Sequence, residues 1–167
     1  MDPILDKARA GQNALEQLVN AIPGFQGYRE KELRRDADRL QREYLASRLA
    51  ESKKGLDGLA ATASRAGTLD AINDIETARK RLDKVVARIR YADRGYAGFF
   101  ATIKVDESAL DRVYRYDLGL LQGVEDARSA LAAGATNPTQ AVKEMIGRLD
   151  TLDAALAERE SILNGIK

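Results

Sequence analysis

The sequence predicts an all-α protein: a bundle of four to five largely antiparallel amphipathic helices in a single domain over residues 1–167. Three observations predict it. Apolar residues recur three and four apart through most of the chain, the period of a helix face. Alternating β-branched runs, the mark of half-buried strands, hardly occur. Helix-ending and helix-starting residues stand at helical lengths from one another: Pro23-Gly24, Gly67-Thr68, Asp106 and Asn137-Pro138. With 44% apolar and 32% charged residues, the composition suits a folded, helix-rich chain better than a disordered one. At 167 residues the chain is long enough to bury a real core.

The first helix is expected over residues 3–21. Asp2 is placed to cap it and Pro3 to occupy its first position. Ile4, Ala8, Leu15, Leu18, Val19 and Ile22 give its apolar face, and Gly11 interrupts it. Pro23 then fixes its own φ, while Gly24 and Gly27 can take positive φ. A compact turn is expected there, packed down by Phe25 and Tyr28. This N-terminal segment, 1–27, either packs at the periphery of the bundle or swaps into a neighbouring chain.

The second helix is expected over residues 28–66. Leu33, Ala37, Leu40, Tyr44, Leu45 and Leu49 form its stripe. Glu30 precedes Arg34 by four residues and Asp38 precedes Arg42 by four, the favourable order for helix ion pairs. The charged face reads either as a salt-bridged solvent face or as a basic docking surface. Seven basic residues against five acidic ones is weak for a nucleic-acid helix. Gly55 and Gly58 are the expected points of bending or breaking, and Gly67 the C-cap. The string Ile22-Pro23-Gly24-Phe25, Gly27-Tyr28 and Lys31-Glu32 with Arg34-Arg35 resembles a segment of uncharacterised bacterial helical proteins. That resemblance covers residues 22–35 only. It implies a bacterial origin and carries no activity or site residues with it.

Thr68 is expected to cap a third helix over 68–91, with Ile72, Ile75, Leu82, Val85, Val86 and Ile89 inward. Its other face is basic, and residues 79–94 hold seven basic residues against two acidic ones. Tyr96, Phe99 and Phe100 follow, bordered by Gly95 and Gly98. Two readings stand side by side. The basic face is solvated and balanced by acidic helices, while the aromatics cap one end of the core. Alternatively, Arg79, Lys80, Lys84, Arg88, Arg90, Arg94, Tyr96, Phe99 and Phe100 form a partner-binding surface. Cations beside aromatics suit base stacking or interfacial lipid contact.

Asp106 is a good N-cap for a fourth helix over 106–133, ended by Gly134. Leu110, Val113, Tyr114, Asp117, Leu118, Leu121, Val124, Ala127 and Leu131 lie on one broad face. Asp117 stands out, because a carboxylate in a core stripe needs a partner. Tyr116, Arg115 or a basic residue of the third helix is the expected one. Gly119 and Gly123 permit close helix approach. Asn137, Pro138 and Gln140 form a cap, first-turn and capping-box set for a fifth helix over 138–164. Val142, Met145, Ile146, Leu149, Leu152, Leu156, Ile162 and Leu163 face inward, and Asn164-Gly165 ends it. Residues 1–104 carry 20 basic and 15 acidic groups, residues 105–167 carry 7 and 11. Packed together, the two halves help set helix pairing; displayed, they allow head-to-tail self-association.

The absences bound the function. The chain has no histidine and no cysteine. The usual general base, the commonest transition-metal ligand, thiolate chemistry and disulfides are therefore missing. A ferritin-like di-iron bundle is excluded, since it needs Glu-x-x-His pairs. No phosphate-binding glycine loop, dinucleotide fingerprint or EF-type calcium loop occurs. An enzyme would require an unusual site around Asp117 inside a cavity. No apolar run approaches membrane-spanning length, and residues 1–11 lack the apolar core of a signal peptide. Cytoplasm is the default compartment. The expected role is a non-enzymatic helical interaction or scaffolding module without cofactor, metal or small-molecule substrate, binding a protein partner or itself. The alternative is a binder of an anionic surface, nucleic acid or phospholipid, through residues 79–100.

Overall fold

The computed structural model describes residues 13–92, 98–102, 104–132 and 137–166. The described residues are helical or irregular, with no strand among them. Helix α1 covers residues 13–21, α2 Arg34–Ala50, α3 Ser52–Ala66, α4 Leu69–Arg90, the short α5 Gly98–Ala101, α6 Glu107–Ala130 and α7 Pro138–Asn164. A 3-10 turn, Lys31–Leu33, leads into α2.

The capping residues act largely as their types predict. Asp106 accepts the Ala109 N–H at 2.8 Å, and Asn137 accepts that of Gln140 at 3.2 Å behind Pro138. Gly67 ends α3 at φ +70°, and the Thr68 N–H closes the turn on the Ala63 carbonyl. Thr68 itself makes no side-chain cap hydrogen bond. Gly134 lies outside the described residues.

The second predicted helix is two helices. The break falls at Glu51, four residues before the first of the expected glycines. Glu51 is held there by Arg128 of α6 at 2.8 Å and Arg48 at 3.7 Å. Gly55 has a different use: a Cβ there would stand 3.0 Å from the Leu131 side chain, so its bareness lets α3 approach the end of α6. Gly123 serves α6 and α7 in the same way against Leu152.

Four long helices make the bundle, with α2 beside α4, α4 beside α7, α7 beside α6 and α6 beside α2. Each long helix runs antiparallel to the next long one, and α3 continues the direction of α2, with Arg42, Lys53 and Asp57 meeting Arg90, Asp83 and Arg79 of α4 in turn. Neighbours across the bundle do not: Arg81 meets Asp150 and Arg88 meets Asp153 and Glu160, so α4 and α7 run parallel. Arg48 meets Glu125, and Tyr28 meets Tyr114, so α2 and α6 run parallel too. Helices α4 and α6 therefore sit on a diagonal, and the chain between them crosses the end of the bundle. That crossing contains α5, whose Phe99 and Phe100 are buried.

Helix α1 lies along the side shared by α2 and α6. Ala14 and Leu18 of α1, and Ile22 just after it, are fully buried and belong to the apolar core. Buried residues of α1 through α7 form one contiguous apolar core. The stripes of α4, α6 and α7 are inward as predicted, with Ile72, Val86, Leu118, Leu131 and Ile146 half-buried at their margins.

The stripe of α2 is turned. Its buried face is Arg34, Asp38, Gln41, Arg42, Leu45, Ala46 and Leu49. Leu33 is 48% exposed, and Ala37, Leu40 and Tyr44 are half-buried. Arg34, Asp38 and Arg42, expected on a solvated ion-pair face, are instead inside the protein, while Arg39 and Glu43 of that face pair in solvent. The physical reason is across the core, where α6 and α7 present charges that need them.

Candidate functional site

The interior charge cluster is built on Arg159 of α7. Its Nε donates to Asp117 Oδ1 at 2.7 Å and its Nη2 to Asp38 Oδ1 at 2.7 Å. Asp38 takes a second hydrogen bond on Oδ2 from Arg42 Nε, also 2.7 Å. Tyr28 Oη donates to Asp117 Oδ2 at 2.5 Å. All of these side chains are buried, Asp117 and Tyr28 completely. The predicted Asp38–Arg42 pair is present, but at 5% side-chain exposure on both partners rather than in solvent. Asp117 finds neither Tyr116, Arg115 nor the third helix, but Arg159 and Tyr28. Tyr116 turns the other way, donating to the Ala155 carbonyl at 2.8 Å.

The turn predicted around Pro23 positions Tyr28. Gly24 and Gly27 adopt φ +84° and +92°. The Tyr28 N–H then donates to Tyr114 Oη at 2.9 Å. Its ring stacks on Tyr114 and meets Phe25 and Phe99 edge to face. Arg34 closes the end of the bundle from inside. It donates to the carbonyls of Tyr28 at 2.7 Å and Thr102 at 2.5 Å, and its guanidinium lies 5.5 Å from the Phe99 ring centre. Arg34 thus ties the turn at residue 28 to the crossing segment.

Burial and charge shift these groups in accountable ways. Burial alone would lower the Arg159 guanidinium, but Asp117 and Asp38 reverse this and hold it well above its usual value. Desolvation pushes Tyr28 well above the ordinary phenol value, with Asp117 adding to it. Desolvation also raises Tyr114, and with the Glu158 hydrogen bond it raises Tyr116 to about 12. A raised tyrosine keeps its proton in the folded chain after the unfolded chain has lost it. Stability from these groups is therefore complete below about pH 10, the unfolded value, and is lost as pH rises toward and beyond 12. We expect at least three of the six tyrosines to ionise late in an absorbance titration at alkaline pH, together with unfolding. Six native tyrosines ionising together near pH 10, with the fold intact, would contradict the burial of Tyr28 and Tyr114.

The cluster performs electrostatic closure of the core, with each charge opposed within hydrogen-bond distance. Among the described residues, no group of three or more metal-ligating side chains is placed to hold an ion, and no helix is long and apolar enough to cross a membrane.

The predicted partner surface is dispersed. Phe99 is fully buried and Phe100 nearly so, packed on each other and on Tyr28. Of the two readings of these aromatics, their burial matches the cap on one end of the core and not the exposed contact surface. Arg79 is bridged to Asp57 at 2.6 Å and to Glu76. Arg88 binds Asp153 at 2.7 Å, and Lys84 stands 3.6 Å from the same carboxylate. Asp153 is accordingly held below the usual carboxylate range, chiefly by its hydrogen bond from Arg88. Arg90 is half-buried, with its carbonyl taken by Arg42, and Lys80 is exposed. Arg94 and Tyr96 lie outside the described residues. Arg79, Lys84 and Arg88 thus face carboxylates of the same chain, and Arg29–Glu107, Arg48–Glu125 and Arg81–Asp150 join the basic first part to the acidic second.

A different surface feature has the makeup of a contact site. A groove of ≈ 330 Å³ runs between the residue 24–30 turn, α2 and Tyr114. Leu15, Gly24, Leu33, Ala37 and Leu40 supply its apolar lining, with Arg29, Glu30 and Asp36 among its polar residues. It exists because the outer stripe of α2 is only partly covered by α1. The sequence signal for it was the second helical stripe, Leu33, Ala37, Leu40 and Tyr44, running beside the charged one. No family model, curated protein or solved structure matches the chain.

Proposed function

We propose that the chain is a non-enzymatic helical interaction module of the cytoplasm that binds a protein partner, or a second copy of itself, through the groove at Leu33. The observation that carries this reading is the combination of an apolar floor, a charged rim and a leucine 48% exposed at the edge. Contact surfaces are built in this way, with desolvated apolar anchors inside a polar border. The groove is large enough for one or two anchoring side chains. The interior cluster supports the same reading, since its charges are committed to one another. The basic face of α4 lends less support to an anionic-surface role, because Arg79, Arg81 and Arg88 already have carboxylate partners.

Leu33→Asp tests the proposal. The site is exposed enough that the thermal unfolding midpoint should stay within a few degrees. Association should weaken at least tenfold, about 1.4 kcal/mol, as removal of an anchoring side chain requires. Light scattering on size-exclusion chromatography, at low and high salt, reads self-association. Quantitative cross-linking in the source cell reads a foreign partner. If Leu33→Asp leaves both patterns unchanged, the groove is not the contact site.

A further inference from the structure

The groove at Leu33 sets three requirements on its occupant. Its floor is apolar, made by Leu15, Ala37 and Leu40 with Leu33 at the edge. Its volume, ≈ 330 Å³, admits a large side chain. Its rim is acidic. Arg29 is committed to Glu107, which it meets with both terminal nitrogens. Glu30 and Asp36 are exposed and have no cationic partner among the described residues. The fitting occupant is an apolar body that carries a hydrogen-bond donor and has a cation beside it.

Four large apolar side chains are exposed among the described residues, Val19, Leu33, Leu69 and Tyr91. Tyr91 meets all three requirements. It is 71% exposed, and it directly follows α4, where its N–H donates to the Ala87 carbonyl at 2.9 Å. Its ring suits the apolar floor, and its hydroxyl is a donor for a rim carboxylate. Beside it stands Arg90, half-buried and without a carboxylate partner among the described residues. Arg88 is committed to Asp153 at 2.7 Å, and Lys84 stands 3.6 Å from the same carboxylate. Asp93 and Arg94, next in the sequence, cancel in charge. Leu69 and Val19 carry no donor. Asp70 follows Leu69 in the first turn of α4, and Glu16 precedes Val19 by three residues on α1, so both would bring acid to an acidic rim.

The exposure of Tyr91 shows that it does not fill the groove of its own chain. We propose that Tyr91 of one copy enters the Leu33 groove of a second copy, with Arg90 set against Glu30 and Asp36. This rests on the groove being the contact site, and it names the occupant. Knob and groove are different surfaces of one chain, so every copy offers both. The contact either repeats head to tail or is exchanged reciprocally about a two-fold axis. A single tyrosine anchor inside a charged rim makes a small interface, so the association is weak and falls as salt rises.

Sedimentation velocity on the full chain, from low micromolar to millimolar concentration and at low and high salt, tests this. The unaltered chain should associate with concentration. Leu33→Asp and Tyr91→Ser should each weaken that association at least tenfold. Mixed in equal amounts, the two variants should regain it as a dimer, because one supplies an intact Tyr91 and the other an intact groove. Thermal midpoints within a few degrees of the unaltered chain show that both variants fold; Leu33→Ala and Tyr91→Ala carry the same test should either fail. Association that Tyr91→Ser leaves unchanged while Leu33→Asp abolishes it would overturn this inference and keep the groove as a contact site. Association that Leu33→Asp leaves unchanged would overturn both. A monomer at every concentration would overturn this inference and leave the groove to a different protein.

Discussion

Arg159→Leu is expected to destabilise the protein by about 3–5 kcal/mol, the cost of leaving a buried charge without its partner. Asp38 and Asp117 converge on this one guanidinium at 2.7 Å each, and Asp117 has no other cationic partner in the cluster. Without Arg159, a fully buried carboxylate keeps only the Tyr28 hydroxyl. The double variant Arg159→Leu with Asp117→Leu should recover much of the loss relative to either single. It removes both charges while the Asp38–Arg42 pair stays intact. Its remaining cost is the orphaned Tyr28 hydroxyl, about 1–3 kcal/mol. Urea unfolding of the two singles and the double gives the coupling directly. If Arg159→Leu costs less than about 1 kcal/mol, the cluster is more hydrated than its burial shows, and its role in closing the core is overstated.

Gly27→Ala should cost about 2–5 kcal/mol for two separable reasons. Gly27 sits at φ +92°, where an L side chain adds about 1–2 kcal/mol of strain. The added Cβ would also stand 2.7 Å from Tyr114 Oη, the acceptor of the Tyr28 N–H. Moving Tyr114 away leaves that buried N–H unsatisfied, another 1–3 kcal/mol or so. Gly58→Ala is the matched control. It lies inside α3 with nothing within 4 Å of its missing Cβ, and should stabilise the chain by about 0.5–1 kcal/mol. Equal unfolding midpoints for the two variants would refute the claim that the turn is held by its positive φ and by Tyr114.

These two sites mark what the sequence made legible and what it did not. The turn was readable locally: proline followed by two spaced glycines specifies backbone conformation without reference to the rest of the chain. The caps at Asp106 and Asn137, and the stripes of α4, α6 and α7, were readable for the same reason. The inner face of α2 was not. Arg34, Asp38, Gln41 and Arg42 have helical spacing as regular as Leu33, Ala37 and Leu40, and hydrophobicity alone favours the wrong set. Signals for the right one existed on other helices. Asp117 interrupts an apolar stripe on α6, and Arg159 occupies the stripe position between Leu156 and Leu163 on α7. Two opposite charges at core positions of different helices imply a shared interior, and a third carboxylate at Asp38 completes it. The sequence left two readings of the aromatic crossing segment open because its exposure depends on topology. Whether α4 and α6 are neighbours or diagonal decides if the residues between them cross the core, and local pattern carries no information about that.

The position of Arg159 has a consequence for the order in which the chain can mature. It lies 121 residues after Asp38 and 42 after Asp117. While the chain emerges from its N-terminus, α2 and α6 exist before the guanidinium that joins Asp38 to Asp117. Asp38 has Arg42 beside it on α2, but Asp117 must remain hydrated until α7 arrives, which opposes early closure of the interior around it. Docking of α7 supplies the missing cation and expels the water in one event, which makes the arrival of α7, rather than collapse of the helices before it, the step that commits this fold.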